Sequence, residues 1–224
     1  MSCSIVSKIL QGLILCCVLG CAGSTQAILG SIKLALPGKD VTLDPSLLRE
    51  DYRYLRVTVK DGGAALLVLG YQDKDHNRDG RLTEVWYSAD MEVLRLRAGR
   101  LAGLTGTHIE WKKVKYPGVP EWEKVGNKAP FSQSGVVISD VSETFSKIFY
   151  TQKIQTPKKS RLLGVDPYSL VWFADFTLGT NHLSAIYALK STADGFQPVY
   201  GEQCLSKDFC ITWQYWNAET ANSL

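Results

Sequence analysis

The stretch YRYLRVTVKDGGAALLVLGY, Tyr52 to Tyr71, decides the fold. Its first half alternates Tyr52, Tyr54 and Arg56 with Leu55, Val57 and Val59, a period of two that belongs to a strand with one buried face. Lys60-Asp61-Gly62-Gly63 supplies turn chemistry, and AALLVLGY returns as a second strand, so the unit reads as a hairpin. Downstream, RLTEVWYSA and MEVLRLRAGRLAGL repeat the pattern, with Arg95 and Arg97 opposite Leu94 and Leu96. Alternation with one polar face is the mark of an antiparallel sheet covering a core.

Further along, SLVWFADFTLG, HLSAIYALKS, FQPVYGEQ and CITWQYW are aromatic and β-branched and read as strands. The middle, TGTHIEWKKVKYPGVPEWEKVGNKAPFSQSG, holds Pro117, Pro120 and Pro130 and predicts loops and broken strands. Residues 136–154, VVISDVSETFSKIFYTQKI, fit two strands or a helix, because Asp140 and Glu143 form a capping-box pair while Phe145, Ile148 and Phe149 have helical spacing. Asp44 followed by Pro45 predicts a short helix over Asp44–Glu50. The expected architecture is mostly β: an antiparallel curved sheet, half-barrel or sandwich, with one or two short helices.

Upstream of the hairpin the chain opens MSCSIVSKILQGLILCCVLGCAGSTQA. Lys8 precedes an apolar run, Ile9 to Leu19, that is shorter than the roughly 20 residues of a membrane span and suits a secretory signal. Val18-Leu19-Gly20-Cys21 resembles a bacterial lipobox, in which Cys21 is acylated and cleavage follows Gly20. Several acyl chains together anchor a protein stably. An ordinary peptidase site at Thr25-Gln26-Ala27, or an unlipidated cysteine-rich segment, are the alternatives; the lipobox is preferred. Residues 1–20 are then signal, 21–43 a lipidated N-terminus and tether, and 44–224 a single β domain.

Composition is that of an ordinary globular protein: 224 residues, 45% hydrophobic, with 25 basic and 22 acidic side chains. That balance gives no clustered basic face and no nucleic-acid partner. After cleavage Cys204 and Cys210 pair in number, and in an exported chain an even pair reads as a disulfide. No cofactor-binding or catalytic motif (GxSxG, HExxH, P-loop, GxGxxG) occurs. His76, His108 and His182 lack ligand-spaced neighbours, and the acidic residues Asp90, Glu92, Asp140, Glu143 and Asp175 offer no basis for choosing a hydrolytic pair. In DHNRDGRLTEVW, Asp75, Asn77 and Asp79 stand at alternate positions before Gly80, as in a calcium loop, but position 12 is Trp86, which has no oxygen ligand to give. A hairpin turn is the preferred reading of that stretch.

Taken together, YRYLRVTVKDGGAALLVLGY, EVWYSADMEVLRLRAGRLAGLTG and the late ITWQYW resemble the YjbF/GfcB family of group-four capsule polysaccharide lipoproteins. The specific part is Trp86-Tyr87-Ser88-Ala89-Asp90, then Gly99-Arg100-Leu101 and Gly103-Leu104, with Trp213-Gln214-Tyr215-Trp216 near the end. The likeness spans roughly residues 18–218 and is strongest over 52–106. It implies an outer-membrane lipoprotein facing the periplasm that assists capsule or exopolysaccharide export, with polysaccharide or an outer-membrane export protein as partner and no catalytic residues to transfer. A periplasmic polysaccharide-modifying enzyme and a lipid or lipoprotein carrier, for which a half-barrel would hold acyl chains, are the rival expectations.

Overall fold

In the computed structural model the chain divides into two units, Met1–Gly30 and Ser31–Leu224. The described residues are 48–59, 63–74, 81–126, 130–180, 182–206, 209–217 and 220, all in the second. The expected anchor at Cys21, the tether, the Asp75–Asn77–Asp79 turn and most of the Asp44–Glu50 helix lie outside them.

Twelve antiparallel strands form a closed barrel: β1 Tyr54–Val59, β2 Ala64–Lys74, β3 Leu82–Tyr87, β4 Val93–Arg97, β5 Arg100–Thr105, β6 Glu110–Lys115, β7 Pro130–Ile138, β8 Ser142–Ile154, β9 Val171–Thr177, β10 Leu183–Thr192, β11 Gly195–Cys204 and β12 Cys210–Trp216. Each strand pairs with its neighbours in sequence, and β12 returns to β1 over six residue pairs from Tyr54↔Trp216 to Val59↔Ile211. The expectation of a mostly β antiparallel fold holds, and the sheet is closed where a half-barrel or sandwich was expected. Closure removes the exposed strand edges that an open sheet would present. The helical elements with described bounds are two 3-10 turns, Trp122–Lys124 and Pro167–Ser169. Where the early helix was expected to end, Tyr52 N donates to Arg49 O at 3.2 Å, and the backbone makes a turn.

Residues 136–154 resolve as the end of β7 and all of β8, joined through Ser139–Val141. Phe145 and Phe149 are four apart, a spacing that serves a helix and a strand alike. Both rings face inward, against Gly135 and Phe131 of β7, while Ile148 faces out and is 50% exposed. The β-branched run Val136-Val137-Ile138 favours the strand.

The barrel interior takes residues the alternation assigned to it, Leu55 and Val57 from β1 and Leu94 and Leu96 from β4, together with Leu67 from β2 and with Trp86, Trp111 and Trp213 between them. Each large apolar side chain buried this way contributes about 1.5–3 kcal/mol. The outer wall departs from expectation. Tyr54, Arg56 and Gln214 face outward yet are buried, because the connection from β8 to β9, residues 155–170, lies across β9 to β12 and their neighbour β1. Gln214 fixes that strap by donating Nε2 to Leu163 O at 2.7 Å and accepting Leu163 N on Oε1 at 3.0 Å. Gly201 of β11 is required by this packing density: a Cβ there would lie 2.5 Å from the Trp213 indole.

Cys204 and Cys210 are cross-strand partners where β11 meets β12, and they are joined as a disulfide. Closing so short a loop restrains the unfolded chain by about 2 kcal/mol. The Cys204→Ala/Cys210→Ala double variant is therefore expected to unfold at lower denaturant, with ΔG reduced by about 2 kcal/mol, and to retain the far-ultraviolet circular dichroism of the native barrel.

Candidate functional site

A deeply buried charge pair, Arg100 and Asp175, sits behind a plug built from the broken middle of the sequence. Between β6 and β7 the chain runs YPGVPEWEKVG, and Gly118 adopts φ +74° in a bend between Pro117 and Pro120. The 3-10 turn that follows carries Trp122 into the barrel. Its ring packs 5.3 Å from Phe173 and 5.1 Å from Tyr187, centroid to centroid. Three contacts clip the plug to the rim: Trp122 Nε1 donates to Ala98 O at 2.9 Å, Phe196 N donates to Glu123 Oε1 at 2.8 Å, and Arg81 Nη2 donates to Val119 O at 3.0 Å. Ala98 and Gly99, at φ +48° and +75°, form the two-residue turn between β4 and β5 that aims this carbonyl.

Behind Trp122 the Arg100 guanidinium stacks on the indole at 3.6 Å, a desolvated cation–π contact. Arg100 and Asp175 are 1% and 4% exposed. Arg100 Nη2 donates to Thr151 Oγ1 at 3.1 Å, Thr151 Oγ1 donates to Asp175 Oδ1 at 2.6 Å, and Tyr187 OH donates to Asp175 Oδ2 at 3.0 Å. Arg100 Nε lies 3.6 Å from the same carboxylate, an ionic contact without a hydrogen bond. Beside them Gln133 Nε2 donates to Tyr116 OH at 2.9 Å, and Tyr116 OH donates to Leu101 O. Burial pushes the Tyr116 and Tyr187 phenols far up, and the Asp175 charge adds to both. They remain neutral donors across the ordinary pH range. Each oxygen of the Asp175 carboxylate accepts one hydrogen bond, Trp122 covers the Arg100 guanidinium, and the buried cluster backs the plug.

The remaining expected candidates fall apart in space. Asp90 and Glu92 share the turn between β3 and β4, where Glu92 N donates to Ser88 Oγ at 3.0 Å. Asp140 and Glu143 belong to the β7–β8 hairpin, and Asp175 stands alone of the five inside the barrel. His108 stacks edge-on against Phe209 at 4.9 Å, and His182 is exposed between β9 and β10. Among the described residues no group of three or more His, Cys, Asp or Glu gathers as a metal site. Arg100 was visible in the sequence only within a Gly-Arg-Leu string. Asp175 carries a sharper signal in the sequence: in VWFADFT it follows Val171 and Phe173 on the inward face, a charge where alternation demands an apolar residue.

A second feature is accessible. Between the second half of the strap, Leu162 to Leu170, and the start of β1, a groove of about 560 Å³ opens on the outer wall. That volume lies within the range of about 300–1,000 Å³ of small-molecule sites. Tyr54, Gln214 and Trp216 lie buried in it, while Arg53, Lys190, Gln197 and Asn217 are exposed along it. Glu84 lies outside this lining; it accepts Arg53 Nη2 at 2.8 Å and Gln72 Nε2 at 3.3 Å, and also the Tyr215 hydroxyl. Burial, then the Glu84 charge, holds the Tyr215 phenol far above its ordinary range.

Among solved structures the chain is similar to the crystal structure of the hypothetical lipoprotein YmcC from Escherichia coli K12, with a TM-score of 0.56 and 12% identity over 75% of this chain and 87% of that one. At such identity the likeness is one of fold. No family model and no curated protein matches the chain.

Two outcomes are expected of this site. Asp175→Ala strands the Arg100 charge and should destabilise the barrel by about 3–5 kcal/mol, whereas Arg100→Met/Asp175→Leu together should recover most of that loss, both read from urea unfolding. The second concerns pH. Tyr116, Tyr187, Tyr200 and Tyr215 all have folded pKa values raised above the unfolded one, chiefly by burial. Their contribution is complete below about pH 10, the ordinary tyrosine value, and is lost as pH rises beyond it. Absorbance at the phenolate band should therefore rise cooperatively with unfolding above that pH, as circular dichroism recorded in parallel would show.

Proposed function

We propose that this protein is a lipid-anchored barrel of the outer membrane, facing the periplasm, that assists assembly or secretion of an extracellular polysaccharide without catalysing a reaction. The observation that carries the reading is the shared fold with a lipoprotein, YmcC, in a chain whose own start spells Val18-Leu19-Gly20-Cys21. The resemblance of the Trp86–Asp90 and Trp213–Trp216 segments to the YjbF/GfcB family supplies the polysaccharide side of the proposal. Acyl chains on Cys21 hold the domain at the membrane, residues 21–43 act as the tether, and the outer wall of the barrel meets glycan or an export protein. The interior supports a binding role over a carrier or a hydrolase: it is filled by side chains such as Trp86, Leu101 and Trp213, each 1% exposed or less, and its carboxylate Asp175 is sealed.

A strain lacking the gene should retain polysaccharide in the periplasm and lose it from the surface, measured by fractionation and surface staining. Unchanged amount and location would overturn the reading. In the complemented strain, Cys21→Ser should move the protein from the membrane fraction to the soluble periplasm and reproduce the export defect, while single alanine replacements at Asp90, Glu92, Asp140 and Glu143 should leave export intact.

A further inference from the structure

We infer that the groove beside the strap is a binding site for an anionic sugar, the carboxylate-bearing residue of an acidic glycan. The inference rests on the export reading for the presence of a glycan, and the chemistry of the lining supplies the class.

The charged side chains that line the groove are both cations, with Glu84 behind Arg53 and outside the lining. Two cations, Arg53 and Lys190, line it, and among its described lining residues there is no Asp or Glu. Arg53 has one guanidinium nitrogen engaged with Glu84 and keeps a side chain that is 49% exposed. Lys190 is exposed on the outward face of β10, paired in register with Gln197 of β11, and no ion pair is formed to it among the described residues. A carboxylate placed between such groups gains charge-assisted hydrogen bonds. The remaining lining suits the rest of a sugar. Gln197 and Asn217 present amides, which donate and accept, and Ser191 presents a hydroxyl, all exposed. Tyr52 is half-buried at the edge, where one apolar ring face meets polar groups, the pairing that pyranose rings require. A neutral glycan would leave Lys190 without a counter-charge, and a lipid tail would meet three exposed polar side chains along β10 and β11.

The floor of the groove is tied to its surroundings by hydrogen bonds and strand pairing. Gln214 is held by both of its amide bonds to Leu163, and Tyr54 and Trp216 face one another across the β1–β12 seam. Preformed sites lose less ordering entropy on binding.

The experiment uses the full-length protein in detergent, titrated calorimetrically with a glucuronate tetrasaccharide and with the same tetrasaccharide carboxyl-reduced to its neutral form. The acidic oligomer is expected to bind, weaken as salt is raised, and bind at least about tenfold tighter than its reduced form. Lys190→Glu and Gln197→Ala, both exposed and outside the core, should weaken it by a similar factor with unchanged melting temperature. Equal binding of the two oligomers would overturn the anionic class while leaving a glycan role standing. Binding unaffected by either variant, or no binding of either oligomer, would overturn the groove as the site. Export in the deletion strain is a separate measurement, so failure here does not count against the function proposed above.

Discussion

The pairing of β1 with β12 is the constraint on which the other features depend. Six residue pairs, with Thr58 and Thr212 sharing a hydroxyl hydrogen bond between them, convert an antiparallel meander into a ring. Without that seam the barrel would have two edges and an interior open to water along its length. With it, the Arg100–Asp175 pair is dry enough to be strong, and the strap has a continuous wall of β9 to β12 and β1 to lie on.

Closure also sets a filling problem. A barrel of eight strands is just wide enough for side chains to meet, and barrels of roughly sixteen leave a channel. Twelve strands lie between, and the chain answers with bulk: four of its six tryptophans, Trp86, Trp111, Trp122 and Trp213, are in the central cluster. One of the four comes from a loop and not from a strand. Trp122 packs against Phe173 and Tyr187, and its ring over the Arg100 guanidinium is a favourable partner for the buried charge. Removing one member of that arrangement leaves a cavity or a bare charge, each costing several kcal/mol.

Much of this was legible in the residues. The alternation at Tyr54–Val59 and at Leu94–Arg97 assigned inward and outward faces correctly, since a period of two follows from strand geometry alone. Closure was not legible, because whether the first and last strands meet depends on tilt and stagger, which no local pattern encodes. The burial of Tyr54, Arg56 and Gln214 escaped for a related reason: the residues that cover them, 155–170, are irregular and carry no periodic signal. Phe145 and Phe149 left β8 ambiguous because spacing by four satisfies both periods. Asp175 was recognised as acidic and not as misplaced, though its inward register gave it away. The groove could not be read at all, as its lining comes from the start of β1, the strap, the β10–β11 hairpin and the end of β12.

Nearest-neighbour connectivity has a consequence for how the molecule is made. Eleven of the twelve seams join strands adjacent in sequence and can form as the chain lengthens. The twelfth joins Tyr54 to Trp216, the first strand to the last, and its loop-closure entropy is met only once everything between is in place. Until then β1 keeps a bare edge of unpaired amides and carbonyls, the surface most prone to pair with a neighbouring chain. A chain delivered from its N-terminus must protect that edge for the whole time the other strands take to arrive. The same connectivity that closes the finished barrel thus leaves its first strand the last to gain both neighbours.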